Sequence, residues 1–229
     1  MLEEEAIKRG IDIARLKREQ LKLSKKVEKK DYIDFFDQKS LVVAGIAEQI
    51  DEKNKELLVG MVVLVANFEK DEIKIEEVEA KMHKQKLKFP YIPGFRAYRE
   101  MPALISCYEK LEHRPDVIFI KAHGIDHPRG LGLASHFGIA TDSCVIGISN
   151  EPLKEAEIKD DKIFYENREV ARLVKLVDFA NPIIVSVGHK ISLDTAVEIT
   201  KKFGLGKYKY PYPLVAASKY VKKISKEIK

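Results

Sequence analysis

Hydrophobic and polar positions in the first half of the chain follow the pattern of β-strands. Residues 40–50 and 56–68 are rich in valine, leucine and isoleucine and are separated by a polar turn. They predict two adjacent antiparallel strands. Residues 73–80 place isoleucine and valine among charged side chains and predict a third strand.

The second half alternates short apolar runs with segments of helical spacing. The apolar runs predict buried strands at residues 116–120, 144–148 and 182–187. The helical spacing predicts helices at residues 101–111, 165–177 and 193–203. Three antiparallel strands followed by alternating strands and helices predict a mixed α/β layered fold.

Both ends of the chain are distinctive. Apolar residues recur at near-helical spacing over residues 3–28 and predict an N-terminal amphipathic helix within residues 1–30, whereas residues 205–229 form a basic tail. A length of 229 residues with 45% hydrophobic content is typical of one compact unit. We therefore expect a single domain over residues 1–229.

Charge and composition restrict the functional classes. The net charge of +5 permits attraction to phosphates without requiring it. No apolar run of about 18 residues occurs, and the charged N-terminus lacks the apolar core of a signal peptide. The sequence predicts a soluble, cytoplasmic protein with no membrane partner. Cys107 and Cys144 are expected to be reduced, buried thiols.

Four ordered motifs carry a family resemblance. Residues 90–100 read PYIPGFRAYRE, residues 122–129 read AHGIDHPR, residues 135–138 read SHFG and residues 188–192 read GHKIS. These blocks resemble the motifs of the endonuclease V family, repair nucleases that recognise deaminated bases such as hypoxanthine. The resemblance implies a ribonuclease H-like fold, with a central five-stranded mixed sheet flanked by helices. It also implies DNA or RNA containing deaminated bases as the partner.

The first motif implies a wedge that enters nucleic acid where a base has been turned out. The residues that would form it are Pro90, Tyr91, Ile92, Pro93 and Gly94. Prolines stiffen a loop, and the Tyr91 ring could replace the stacking lost when a base leaves. Without the resemblance, a tight turn with a half-buried tyrosine would be the simpler interpretation.

The resemblance implies further nucleic-acid contacts around this loop. The candidates are Arg99, His123, Gly124, Arg129 and Asn150. Arginine offers a fork of donors to phosphate oxygens, and glycine allows close backbone approach to a ligand. Asn150 stands where the family has a lysine, which removes a positive charge. Each arginine could instead be an ordinary surface residue.

The metal-binding pattern of the family is incomplete in this chain. The resemblance implies Mg²⁺ held by two aspartates and a glutamate, but here the three positions are Ala47, Glu100 and Lys121. Only Glu100 can be a ligand, so we expect Mg²⁺ to bind weakly or not at all. Strand alternation turns Glu48 to the face opposite Ala47 and, on this reasoning, away from the metal position.

The remaining candidates leave alternatives open. We expect Lys121 to pair with Glu100 or with a substrate phosphate, unless it simply points to solvent. Asp126 or Asp142 could supply a missing carboxylate after rearrangement. By resemblance, His127 and His189 lie near the catalytic centre, although each could be a structural histidine.

These observations lead to one functional prediction with two alternatives. The chain is predicted to bind nucleic acid with deaminated bases (inosine) and to show weak or no metal-dependent cleavage. It could instead be an active endonuclease with altered metal ligands. A third possibility is a protein-assembly scaffold built on a decayed nuclease fold.

Overall fold

The computed structural model describes residues 3–69, 72–153 and 155–228. The predicted terminal segments therefore include Met1, Leu2 and Lys229, which lie outside the described residues. The strands are β1 (Ser40–Asp51), β2 (Glu56–Glu69), β3 (Glu72–Lys86), β4 (Val117–Ile120), β5 (Val145–Ser149), β6 (Glu157–Lys159), β7 (Lys162–Tyr165), β8 (Arg168–Val174) and β9 (Ile183–His189). The helices are α1 (Glu3–Lys8), α2 (Ile13–Ser24), α3 (Arg96–Tyr108), α4 (Leu133–Thr141), α5 (Leu193–Lys202) and α6 (Tyr212–Glu227).

The strands of the described residues form one mixed sheet. Its order is β3-β2-β1-β4-β5-β9-β8-β7-β6. β1 pairs antiparallel with β2 and parallel with β4, and β4 pairs parallel with β5. The carboxyl ends of β1, β4 and β5 therefore lie at the same edge of the sheet, which places the residues that follow them close together.

The mixed α/β fold predicted from the sequence is confirmed, with a larger sheet than the five strands expected. The extra strands come mainly from residues 157–174. The predicted helix at residues 165–177 is wrong, because β7 and β8 form a hairpin there. Glu166 and Asn167 connect these strands with positive φ values of 49° and 61°, which suits a tight hairpin turn.

Helices cover both faces of the sheet. On one face, Ala44 and Ile46 of β1 pack against apolar residues of α3 and α4. On the other face, Val43 packs in a cluster that includes residues of α5 and α6. Alternation along β1 thus assigns even-numbered residues to the α3 face.

The ends of the chain differ from their predictions. The single N-terminal helix is divided into α1 and α2, with Gly10 between them at φ +79°. The basic tail is mostly α6, whose Leu214, Ala217 and Val221 are buried. None of the helices within the described ranges has the length and apolar character needed to cross a bilayer.

Candidate nucleic-acid interface

The loop between β3 and α3 anchors one aromatic ring and exposes another. Ile92 and Phe95 are fully buried in a small cluster with Ala6 of α1 and Ile13 of α2. Tyr91 is 51% exposed, although its neighbour Ile92 is fixed. The loop therefore presents the Tyr91 ring from an ordered base.

A second loop, residues 121–132, is tied to the first through α2. Gln20 is 1% exposed and donates from Nε2 to the Gly94 carbonyl at 3.0 Å. Arg129 donates to Gln20 Oε1 at 2.6 Å and to the Gly94 carbonyl at 2.8 Å. Arg129 thus joins the two loops. Its contact with a phosphate stays a prediction, and so does that of Arg99.

Arg99 supports the Tyr91 loop from the helix below it. The Arg99 side chain is 5% exposed, and its Nη2 lies 2.9 Å from both carboxylate oxygens of Glu52. Its guanidinium carbon lies 5.8 Å from the centre of the Tyr91 ring. A cation near an aromatic face is attracted to it, which favours the observed ring position.

Asp126 organises the histidine-containing loop. Its carboxylate accepts hydrogen bonds from the Gly124 N–H and interacts with His123 Nδ1, both at 2.6 Å. A Cβ on Gly124 would overlap the Val187 carbonyl of β9. The close approach that requires glycine here is therefore to the sheet. The expected approach of Gly124 to a ligand stays a prediction.

His127 presents a neutral imidazole inside the interface. Burial, together with the nearby positive charge of Arg129, lowers the pKa of His127 to about 4. Its Nδ1 accepts a hydrogen bond from the Arg129 N–H at 3.3 Å. The ring also hydrogen-bonds to the Gly94 backbone, so His127 joins Arg129 in linking the two loops.

The two loops enclose a cavity of about 400 Å³, which we call the loop pocket. Its lining includes Tyr91, Gly94, Arg96, His123, His127 and Leu133. This volume, with apolar walls and a few polar groups, is typical of a binding site for a small ligand.

A group of two carboxylates and one arginine lies beside the loop pocket. Glu48 of β1 and Glu100 of α3 both form ion pairs with Arg96, whose Nε is 2.5 Å from Glu100 Oε2. Arg96 also donates to the Lys121 carbonyl at 3.0 Å. Glu48 lies on the face of β1 opposite Ala47, as strand alternation predicts, but this face meets α3. The inference that Glu48 is turned away from the metal position is therefore wrong, because Glu48 shares Arg96 with Glu100.

The surroundings of the Glu100 side chain disfavour its ionised form. Burial and the neighbouring Glu48 carboxylate raise its pKa to about 8, although Arg96 opposes the shift. The ionised form of Glu100 is therefore stabilised mainly by its ion pair with Arg96, while the other surroundings favour the protonated acid. The group as a whole offers little net negative charge, since Arg96 pairs with Glu48.

The pairing expected between Lys121 and Glu100 is not the one observed. The Lys121 ammonium lies 4.8 Å from the centre of the Tyr210 ring, and Arg96 occupies the place beside Glu100. Lys121, Ala47, Glu48, Arg96 and Tyr210 line a second cavity of about 190 Å³. We call it the strand-end cavity.

The other candidate residues lie apart from these carboxylates. Asp142 pairs with Lys190 at 2.6 Å and is 79% exposed. His189 accepts from the Glu28 N–H at 3.1 Å and lies opposite Val145, at the start of β5 rather than its end. Its expected place near the catalytic centre is thus corrected to a structural position. Asn150 accepts a hydrogen bond from the Tyr210 hydroxyl at 2.7 Å.

Comparison with known proteins identifies the family. The sequence profile described as Endonuclease V matches residues 21–219. The chain is 35% identical to Endonuclease V of Thermosipho melanesiensis, over 67% of this chain and 70% of that protein. It is also 35% identical to Endonuclease V of Dictyoglomus thermophilum, over 76% and 77% of the two chains.

Solved structures agree with the sequence matches. Endonuclease V from Ciona intestinalis, in complex with DNA containing an inosine, superposes with a TM-score of 0.81 at 25% identity, covering 95% of this chain and 99% of that one. Endonuclease V from Streptomyces avermitilis gives a TM-score of 0.80 at 25% identity, with 94% of each chain covered. The fold is the ribonuclease H-like fold of these nucleases, and the chain belongs to the Endonuclease V family.

Proposed function

We propose that this chain binds nucleic acid containing deaminated bases such as hypoxanthine in the loop pocket, and that it cleaves the strand weakly or not at all. The observation that carries the proposal is the position of Arg96 between Glu48 and Glu100. A guanidinium in that place neutralises the carboxylates while the neighbouring loop pocket stays open.

Several features support base binding in the loop pocket. Tyr91 lies at its wall with half of its surface exposed, and an aromatic ring can stack on bases next to an extruded one. The backbone of both loops offers hydrogen-bonding groups to a base edge. The Ciona intestinalis relative was crystallised with DNA containing an inosine.

Mg²⁺, on which the family depends, does not fit the residues of this chain. The ion prefers six oxygen ligands in near-octahedral geometry. Within the described ranges, no three or more His, Cys, Asp or Glu side chains come together in a way that would hold a metal ion. Ala47 has no donor, Lys121 adds a positive charge, and Arg96 takes up both carboxylates.

Substitution of the exposed tyrosine tests the binding role. We expect Tyr91→Ala to weaken binding to an inosine-containing strand about 5- to 150-fold, which corresponds to a loss of about 1–3 kcal/mol of stacking free energy. Tyr91→Phe, which keeps the ring, should bind like the unmodified protein. Phe179→Ala removes an aromatic side chain that is 80% exposed and serves as the matched control. Fluorescence anisotropy measures all four proteins, and equal affinities for Tyr91→Ala and the control would contradict the role.

A paired binding and cleavage assay tests the proposal as a whole. Inosine-containing DNA and RNA strands, and matched strands with adenosine, are incubated with the protein in Mg²⁺, Mn²⁺ or EDTA. We expect preferential binding of the inosine strands in all three conditions and intact strands throughout. Efficient cutting beside inosine in Mg²⁺ would overturn the loss of cleavage, and absence of any preference for inosine would overturn the base specificity.

The second candidate function, an active endonuclease with altered ligands, is favoured by the position of Glu48. This carboxylate reaches the same group as Glu100, so the pair could receive a cation if Arg96 swung outward. Asp126 and Asp142 are engaged elsewhere. This candidate requires cutting that is lost in both Glu48→Gln and Glu100→Gln, whereas our proposal expects no cutting to lose.

A further inference from the structure

Lysines and tyrosines alternate in the segment between α5 and α6. Lys207, Tyr208, Lys209 and Tyr210 follow one another directly before α6. Tyr210 also lines the strand-end cavity together with Lys121. We define the tyrosine–lysine surface as Lys121, Lys207, Tyr208, Lys209, Tyr210 and Lys219.

Two tyrosine rings of this surface each contact two ammonium groups. Lys121 and Lys209 lie 4.8 Å and 5.7 Å from the centre of the Tyr210 ring. Lys219 and Lys207 lie 4.9 Å and 5.4 Å from the centre of the neighbouring Tyr208 ring. The charged groups in all four of these contacts are cationic.

The rings are held in place by their hydroxyl groups. Tyr210 donates to Asn150 Oδ1 at 2.7 Å, and Lys219 donates to the Tyr208 hydroxyl at 3.0 Å. A ring fixed in this way loses little conformational entropy when a flat ligand stacks on it. The other lysines of the surface are flexible side chains, so each can leave the ring face and turn to an anion.

The tyrosine–lysine surface is adjacent to the loop pocket. Arg96 lines both the loop pocket and the strand-end cavity. Ala122, which directly follows Lys121, lines the loop pocket as well. A strand with one base in the loop pocket would therefore carry its adjoining nucleotides across Lys121 and Tyr210.

We propose that the tyrosine–lysine surface binds the single-stranded segment that adjoins the base in the loop pocket. Bases stack on Tyr208 and Tyr210, and Lys121, Lys207 and Lys209 move from the ring faces to the phosphates. Lys219 keeps its hydrogen bond to the Tyr208 hydroxyl and holds that ring in place. Proteins that bind single-stranded nucleic acid without sequence preference generally combine aromatic side chains, which stack on bases, with cationic side chains, which contact phosphates. The inference rests on the proposed function, because the loop pocket sets where the strand begins.

Strand length provides the test. Fluorescence anisotropy is measured with short oligonucleotides that carry little more than the inosine and with longer strands extended on either side. We expect extension on one side to strengthen binding. Tyr208→Leu combined with Tyr210→Leu should weaken binding of the extended strand about tenfold and leave the short one unchanged. Phe179→Leu is the matched control for loss of an aromatic ring, and Tyr208→Phe with Tyr210→Phe should retain the gain from extension.

The lysines of this surface give a second measurement, which reports the loss of charge and leaves the aromatic rings unchanged. Lys207→Ala with Lys209→Ala should reduce the slope of log Kd against log salt by about 0.7 per lysine for the extended single strand. Lys222→Ala with Lys223→Ala, on α6, is the matched control for lost charge. A leucine variant that binds extended strands like the unmodified protein would overturn the inference, as would an unchanged salt slope or equal binding of an acidic peptide.

The outcomes separate this inference from the proposed function. If inosine strands are preferred but extension adds nothing, the tyrosine–lysine surface is not a strand site and the proposed function stands. If extension strengthens binding equally with inosine and adenosine, the strand site stands and the base specificity fails.

Discussion

Combining Ala47→Asp, Lys121→Asp and Arg96→Leu is expected to create metal-dependent cutting of inosine-containing strands, about 100-fold or more above the unmodified protein. The first two changes place carboxylates at position 47 of β1 and directly after β4, both in the lining of the strand-end cavity. The third change releases Glu48 and Glu100 from their ion pairs. Metal stabilisation of charge in the transition state is worth several kcal/mol, which sets the expected scale. The measurement is single-turnover cleavage in Mg²⁺ or Mn²⁺.

Two controls make this expectation specific to the metal ligands. Ala47→Asn, Lys121→Asn and Arg96→Leu together preserve the shape of the side chains without the charges and should not cut. The aspartate variant with Arg96 retained should cut less than the triple variant, because the guanidinium still holds both glutamates. Cutting that appears equally with and without Arg96 would show that this residue does not block the site.

Arg96→Met is expected to lower the free energy of unfolding by about 2 kcal/mol near pH 9. Breaking a buried ion pair typically costs about 3–5 kcal/mol, and we reduce that figure because the Arg96 side chain is 35% exposed. The partners left behind are well buried, since the Glu100 side chain is 1% exposed and that of Glu48 is 10% exposed. Urea unfolding measures the difference.

The loss of stability in Arg96→Met should depend on pH in a defined direction. The pKa of Glu100 is raised from 4.5 to about 8 in the folded protein, and removal of Arg96 takes away a group that opposes this rise. A raised pKa favours folding below the unfolded value and loses that contribution as pH increases through the folded value. In the unmodified protein Glu100 ionises beside Arg96 as the pH rises through about 8, whereas in Arg96→Met it keeps its proton to higher pH. The deficit of Arg96→Met should therefore be smallest near pH 6 and should grow above pH 8.

The matched control removes both acids together with the arginine. Arg96→Met combined with Glu48→Gln and Glu100→Gln should show little dependence on pH between these values, because no carboxyl remains to titrate in the group. If Arg96→Met lost the same stability at pH 6 and pH 9, the group would not hold buried carboxylates against an arginine.

The family and the general fold could be predicted from local patterns. The motif around Tyr91 and the apolar strands β1, β2, β4, β5 and β9 are contiguous in sequence, so short windows contain the information. The hairpin of β7 and β8 was not predicted, because its short strands have apolar spacing that also fits a helix. Glu166 and Asn167 adopt positive φ values in the turn of this hairpin. Asparagine adopts such values more readily than most residues, but the sequence has no glycine here that would have indicated the turn.

The arrangement of the carboxylates could be predicted only in part. The spacing of Arg96 and Glu100, four residues apart, places them on one face of a helix and was available in the sequence. Which face of β1 meets α3 could not be predicted from the sequence, because it depends on the tertiary packing of Ala44 and Ile46. The same limit applies to Gln20, a buried polar residue on α2 whose partners lie 74 and 109 residues away.

Direct counting of bound Mn²⁺ by electron paramagnetic resonance tests the central claim, that Arg96 occupies the place of a divalent ion between Glu48 and Glu100. The unmodified protein is titrated with Mn²⁺ into the millimolar range, and the signal of the free ion is recorded. We predict that the free signal matches the amount added, and that saturable binding of one ion appears in the triple variant. One ion taken up per unmodified chain, and released by Glu100→Gln, would contradict the account.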